Sequence, residues 1–380
     1  MSAPSPSKPS GMGALDGALI ERILAVLAPK KLAPHKRLVP LLSVNKHWHL
    51  LARRRLYAAI ALKGPWVARP LRRTLESNQE LAALVRELVL DTELSAQDAG
   101  ETADHARIVA ACPHLQHLTI LGYATAELEA YRTAIASRAE LISLNVSEGA
   151  GMFTFPQLLA MMSRWPSLEK LILKGVLLPC EGLTAEPPAG PTCAQLKMVK
   201  IIDRLDAGQH FTFAAFATLA PALSVLWVQP QHAMPPDLPA ALRRWAPTLE
   251  ALCLLSDAAS DPPLDAVLPI LPALKHLDTT AALLDPRAVA RAPAPLTALT
   301  YRVPSVQLPD LAAALARPGA LPALKALDVK SALDVKGAPP PAPFPPAATQ
   351  TLRAGASSHA HVARVDFDLV CKRRRIRLTL

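Results

Sequence analysis

The chain has 380 residues, 51% of them hydrophobic and only 4% aromatic, so it is long enough to bury a large core and that core must be mainly aliphatic. No apolar stretch reaches the roughly 18–20 residues of a membrane span, and the Ser/Pro-rich leader, residues 1–13, lacks the apolar centre of a secretion signal; neither a helical membrane partner nor secretion is expected. The net charge of +10 is confined to the ends: residues 1–62 hold ten Lys/Arg against two acids, residues 364–380 six against two, and the stretch between carries −2. Charge placed this way argues against a nucleic-acid groove along the middle of the chain. The cysteines (Cys112, Cys180, Cys193, Cys253, Cys371) form no CxxC pair, which predicts reduced thiols in the cytoplasm or nucleus and no metal site.

Residues 14–62 are predicted to form a small helical module. In Leu19–Leu27 the apolar positions Ile20, Ile23, Leu24 and Leu27 fall on one helical face, and Pro29 and Pro34 end that helix. A second apolar cluster comes next at Leu38, Val39, Leu41, Leu42 and Val44. It leads to a basic amphipathic helix in which Val44, Trp48, Leu51 and Arg55 share one side; Trp48 is expected to be its core aromatic. Ala59–Leu62 reads as a short strand that joins the module to the rest of the chain.

From residue 63 onward the chain repeats. An aliphatic residue followed by another three positions later, and in most copies by a third at five, recurs with first members Val85, Leu115, Leu141, Leu168, Leu196, Leu223, Leu249, Leu274, Leu296, Leu324 and Val362. The first ten are separated by 30, 26, 27, 28, 27, 26, 25, 22 and 28 residues. Such a period means stacked units that bury their apolar faces only against their neighbours. Within a phrase such as Leu168-Glu169-Lys170-Leu171-Ile172-Leu173, the pair Leu171 and Leu173 points one way along a strand and the alternates point the other. A proline precedes many copies (Pro113, Pro166, Pro272); it disfavours helix in the residue before it and so closes the preceding helix. Upstream of those prolines the spacing is helical, as in Phe155–Met162 and Leu238–Trp245. The predicted fold class is therefore α/β.

Strand, loop, helix and proline at about 26 residues resemble the leucine-rich repeat in its long intracellular form, which implies a horseshoe-shaped solenoid over residues 63–380. The module before it resembles the F-box: Ile20, Ile23, Leu24 and Leu27 match that family's first helix, Leu38, Leu41 and Leu42 its second, and Val44, Lys46, Trp48, Leu51, Ala52 and Tyr57 its third and exit. Where the family usually has Leu-Pro, this chain has Leu15-Asp16. The resemblance implies a substrate receptor of an SCF-type ubiquitin ligase, with no catalysis and no cofactor of its own. Its F-box would dock on a Skp-type adaptor through Leu15, Ile20, Ile23, Leu24, Leu27, Leu38, Leu42, Val44 and Trp48, and through the adaptor on cullin. Its contribution would be proximity between substrate and conjugating enzyme. The competing expectation is a ligase-independent interaction scaffold whose helical module only caps the end of the solenoid.

The third, fifth and seventh positions of each phrase should face away from the core. In the central repeats they include Ile172, Met198, Ile202, Val225, Trp227 and Leu255, an apolar strip bordered by Lys170, Lys174 and Lys200. An apolar strip with a polar rim is how binding energy concentrates in protein interfaces, so these nine residues are the expected contacts for an unidentified protein substrate. Three further signals are set aside. Gly11-Met12-Gly13 opens no strand-to-helix turn, His359 and His361 are two ligands where a metal site needs more, and Asn145-Val146-Ser147 lies within a predicted strand. Near the end, Ala326–Ser331 is nearly duplicated by Ala332–Gly337, which would permit two strand registers. A Pro-rich insertion spans 338–347, with six prolines between Pro339 and Pro346, and is expected to be polyproline-like. The closing basic run Cys371–Arg377 fits either a nuclear import signal or the rim of a capping strand.

Overall fold

The computed structural model describes residues 17–27, 38–63, 67–91, 99–122, 128–147, 152–175, 193–202, 213–229, 237–256, 264–292, 295–303, 308–317, 320–331 and 377–379. Its strands are β1 (Ala59–Lys63), β2 (Glu87–Asp91), β3 (His117–Leu121), β4 (Ser143–Ser147), β5 (Lys170–Lys174), β6 (Met198–Ile202), β7 (Val225–Gln229), β8 (Ala251–Leu254), β9 (His276–Thr280), β10 (Ala298–Val303), β11 (Ala326–Ser331) and β12 (Arg377–Thr379). They form one sheet in sequence order, every pair parallel. A parallel sheet in sequential order, with helices or turns returning the chain on one side, is the leucine-rich-repeat solenoid.

The repeat phrase explains each strand. All ten first aliphatics from Val85 to Leu324 are buried, and the next two of each phrase point inward beside them, as in Leu88 and Leu90, Leu171 and Leu173, and Leu226 and Val228. Every strand from β2 to β7 alternates between a half-buried or exposed residue and a buried one. The helices expected at Phe155–Met162 and Leu238–Trp245 form with those bounds and supply Phe155, Leu158, Leu242 and Trp245 to the same core. Thr154 caps the first of these through a reciprocal pair with Gln157.

Neighbouring repeats are also tied by polar contacts at a fixed place. The residue preceding each strand donates its N–H to its counterpart one repeat back: Gln116 to Arg86, Ile142 to Gln116, Glu169 to Ile142, Lys197 to Glu169, and so on to Lys325 and Thr297. Just before the phrase, a side chain reaches the backbone of the preceding repeat. Arg138 donates to the Cys112 carbonyl at 2.8 Å, Trp165 Nε1 to Ile135 at 3.3 Å, and Trp245 Nε1 to Ala220 at 2.8 Å. Gly122 and Gly175, with φ of 70° and 58°, take the left-handed turn out of β3 and β5.

The strand that pairs with β11 is β12, with Ala326 opposite Arg377; the phrase beginning at Val362 lies outside the described residues. Trp48 is half-buried and not a core aromatic, because the cluster it joins is small. The first copy of the near-duplication, Ala326–Ser331, is the one that pairs with β10; the second copy and the Pro-rich insertion lie outside the described residues.

Candidate functional site

Two surfaces carry chemistry that the fold itself does not use. The first is the N-terminal module. Its helix Gly17–Leu27 packs on the helix Lys46–Ala58 through Ile20, Leu24 and Leu38, with Leu41, Trp48, Leu51 and Leu56 around them. Asn45 starts the second helix by accepting from the N–H groups of His47 at 2.9 Å and Trp48 at 3.0 Å. That helix runs straight into β1, which covers the edge of β2 with Ala59 opposite Glu87.

The residues expected to meet an adaptor divide accordingly. Ile20, Leu24 and Leu38 are at most 1% exposed; their spacing makes them the inward stripe of the module, so their side chains are not offered to a partner. Ile23, Leu42 and Trp48 are half-buried, and Val44 stands out at 57% exposure. Leu15, Asp16 and the side chain of Leu27 lie outside the described residues. Sequence reasoning passed over Leu19, Val26, Val39 and Leu50. With Val44 they are five of the seven large hydrophobic residues found exposed among the described residues. The available signal was an apolar residue off the helical stripe, where a solvated face should be polar.

The second surface is the open face of the sheet. Register places Asn145, Ile172, Lys200, Trp227, Cys253, Asp278 and Thr300 side by side along its middle row. Lys170, Met198 and Val225 form one flanking row, and Lys174, Ile202 and Gln229 the other. Of the nine expected contacts, Lys170 and Lys174 are exposed and Ile172, Met198, Lys200, Ile202, Val225 and Trp227 are half-buried on this face. Leu255 lies just past the end of β8 and is only 7% exposed, so it offers a partner little surface.

The Lys200 ammonium sits 3.2 Å from the centroid of the Trp227 ring, a cation–π contact. Burial holds the Lys200 pKa below the ordinary lysine value, followed by repulsion from Lys174, with Lys170 also opposing its charge. Next along the row, burial raises the Cys253 thiol pKa and the Asp278 carboxylate adds to the rise, which leaves the thiol protonated and unreactive. Asp278 pairs with Arg302 at 3.5 Å. Asn145 Oδ1, Trp227 Nε1, Asp278 Oδ1 and Arg302 Nε are buried atoms with no hydrogen-bond partner among the described residues. An unmade hydrogen bond of this kind costs about 1–3 kcal/mol, and four of them gather on this face. No group of acidic, His and Cys residues able to hold a metal ion occurs among the described residues.

No protein-family model and no curated protein matches the chain. Among solved structures it is similar to a chain of the TLR13–ssRNA13 complex, at 12% identity and a TM-score of 0.34, over 65% of this chain and 43% of that one. It is also similar to a chain of the Rad7–Elc1 complex from yeast, at 14% identity and a TM-score of 0.34, over 86% of this chain and 90% of that one. The chain thus spans less than half the length of the TLR13 chain it matches. Its own sheet, register and repeat spacing define it as a leucine-rich-repeat solenoid preceded by a small helical module. Among the described residues no helix is long and apolar enough to cross a membrane.

Proposed function

We propose that this chain is a substrate-recognition subunit of an SCF-type ubiquitin ligase, in which the N-terminal module binds a Skp-type adaptor and the open sheet face binds a protein substrate. The observation that carries the reading is that Leu19, Val26, Val39, Val44 and Leu50, five of the seven large hydrophobic residues exposed among those described, all belong to this one short module. Exposed apolar side chains in such excess suit a docking surface. The chain would itself make and break no bonds; it would bring a substrate lysine within reach of the conjugating enzyme that the adaptor and cullin recruit.

A second reading has its own observation. The helix Lys46–Ala58 continues into β1, which covers the end of the sheet, so the module also suits a plain cap on a ligase-independent scaffold. Co-purification with a Skp-type adaptor separates the two. Val44→Asp together with Leu50→Asp changes exposed residues only, so the variant should melt like the parent while adaptor affinity falls about tenfold to a hundredfold. A parent chain that folds but never holds the adaptor removes the receptor reading and leaves the scaffold.

A further inference from the structure

Three other cations beside the strands meet an acid one repeat away: Lys197 lies 3.5 Å from Glu169, Lys275 lies 2.9 Å from Glu250, and Arg302 lies 3.5 Å from Asp278. Lys170, Lys174 and Lys200 differ from these, because no ion pair among the described residues includes them. Every register neighbour they have on adjacent strands is uncharged: Ser143 and Met198 beside Lys170, Ser147 and Ile202 beside Lys174, and Ile172 and Trp227 beside Lys200. Three like charges are therefore held together among neutral register neighbours, in a stretch of chain whose net charge is −2. Their mutual repulsion disfavours the free state and would be relieved by an incoming anion.

We propose that the open face across β5, β6 and β7 takes an acidic segment of a protein partner, with carboxylates seated among Lys170, Lys174 and Lys200 and apolar side chains laid over Ile172, Ile202 and Trp227. This rests on the receptor reading only in taking that partner to be a substrate. Charge complementarity selects the occupant. The cluster is short and bounded: beyond it on the open face, opposite charges stand side by side, Lys63 beside Asp91 at one end and Arg302 beside Asp278 at the other. A short acidic peptide crossing at the lysines meets all of the unbalanced positive charge, whereas a long polyanion lying along the sheet gains little from the balanced pairs beyond it. The half-buried side chains of Ile172, Ile202 and Trp227 give such a peptide apolar contact that a phosphate backbone cannot use.

The test uses the full chain and a displayed library of short random peptides as the probe. Three proteins are compared: the parent, Lys170→Glu with Lys174→Glu, and the charge-matched control Lys197→Glu with Lys275→Glu. All four substituted lysines are exposed, and equal thermal unfolding establishes that each variant is folded. The parent and the control should enrich peptides in which Asp or Glu cluster beside a large apolar residue. The face variant should fail to enrich them and should bind the best such peptide about tenfold more weakly or worse. Enrichment without acidic residues, no enrichment, or equal binding by the face variant overturns the proposal. So does displacement of the peptide by an oligothymidine at comparable concentration, which would make the face a nucleic-acid site. A chain that selects acidic peptides yet never holds the adaptor keeps this inference and loses the receptor reading.

Discussion

In the solenoid, each strand from β1 to β11 sends side chains into one core that runs from Ile60 to Val329, whereas in the N-terminal module a cluster with three buried residues, Ile20, Leu24 and Leu38, holds two helices together. The solenoid leaves two large hydrophobic residues exposed among those described, Val67 and Ile270; the module, a small fraction of the length, leaves five. The difference is one of geometry. A stacked repeat covers its apolar face with the next repeat, while two short helices have too little surface to cover all their own apolar side chains. Stability should therefore reside in the solenoid and unmet apolar surface in the module.

Core truncation tests that division most severely. Trp245 is fully buried and donates to the Ala220 carbonyl of the preceding repeat, so Trp245→Ala should cost about 3–5 kcal/mol in denaturant unfolding. Trp48 is half-buried against a small cluster, so Trp48→Ala should cost less than half as much. Equal losses would mean that the module is as integral to the core as the repeats are.

Acid offers a subtler handle on the solenoid alone. His105, on the helix Ala99–Ala111, has its pKa lowered from 6.5 to about 4, by burial first and against the opposing pull of Asp104. Asp104 is itself held by Arg72 at 2.8 Å and Arg69 at 3.6 Å. Between those two pKa values the unfolded chain binds the proton and the folded chain does not, so the contribution is complete above the unfolded pKa and declines as the pH falls toward the folded one. The loss should amount to about 3 kcal/mol. His105→Gln should flatten this part of the unfolding profile against pH; an unchanged slope would assign the acid sensitivity to other groups.

The smallest expected effect belongs to the module. Asn45→Ala removes the cap from the helix Lys46–Ala58 and should cost about 1 kcal/mol. Because that helix leads into β1, hydrogen exchange should show the loss at β1 and the module while β6 to β8 keep their protection. Loss of protection throughout would show one cooperative unit where the comparison expects two.

Much of this was legible in the chain. The spacing from Val85 to Leu324 identified every strand from β2 to β11, and alternation within each phrase assigned its two faces, because a period-2 strand buried on one side admits only one register. Spacing did not show how well covered Leu255 is: one residue beyond the end of β8, it is only 7% exposed. At the C-terminal edge the partner of β11 is Arg377–Thr379, at the end of the basic run for which a capping strand is one of two expectations; the Val362 phrase lies outside the described residues. In the module, the helical stripe named Ile20 and Leu24 correctly as one apolar face. It could not say that this face would be consumed internally while Leu19, Val26, Val39 and Leu50 were left outside.

The sequence by itself determined the repeat, the strand register and the neutral middle of the chain between basic ends, because each is a one-dimensional pattern. Which charges find partners across repeats is a different kind of fact. Lys197 and Lys275 meet acids while Lys170, Lys174 and Lys200 face neutral neighbours, and only the stacking of strands from distant parts of the chain decides who stands beside whom.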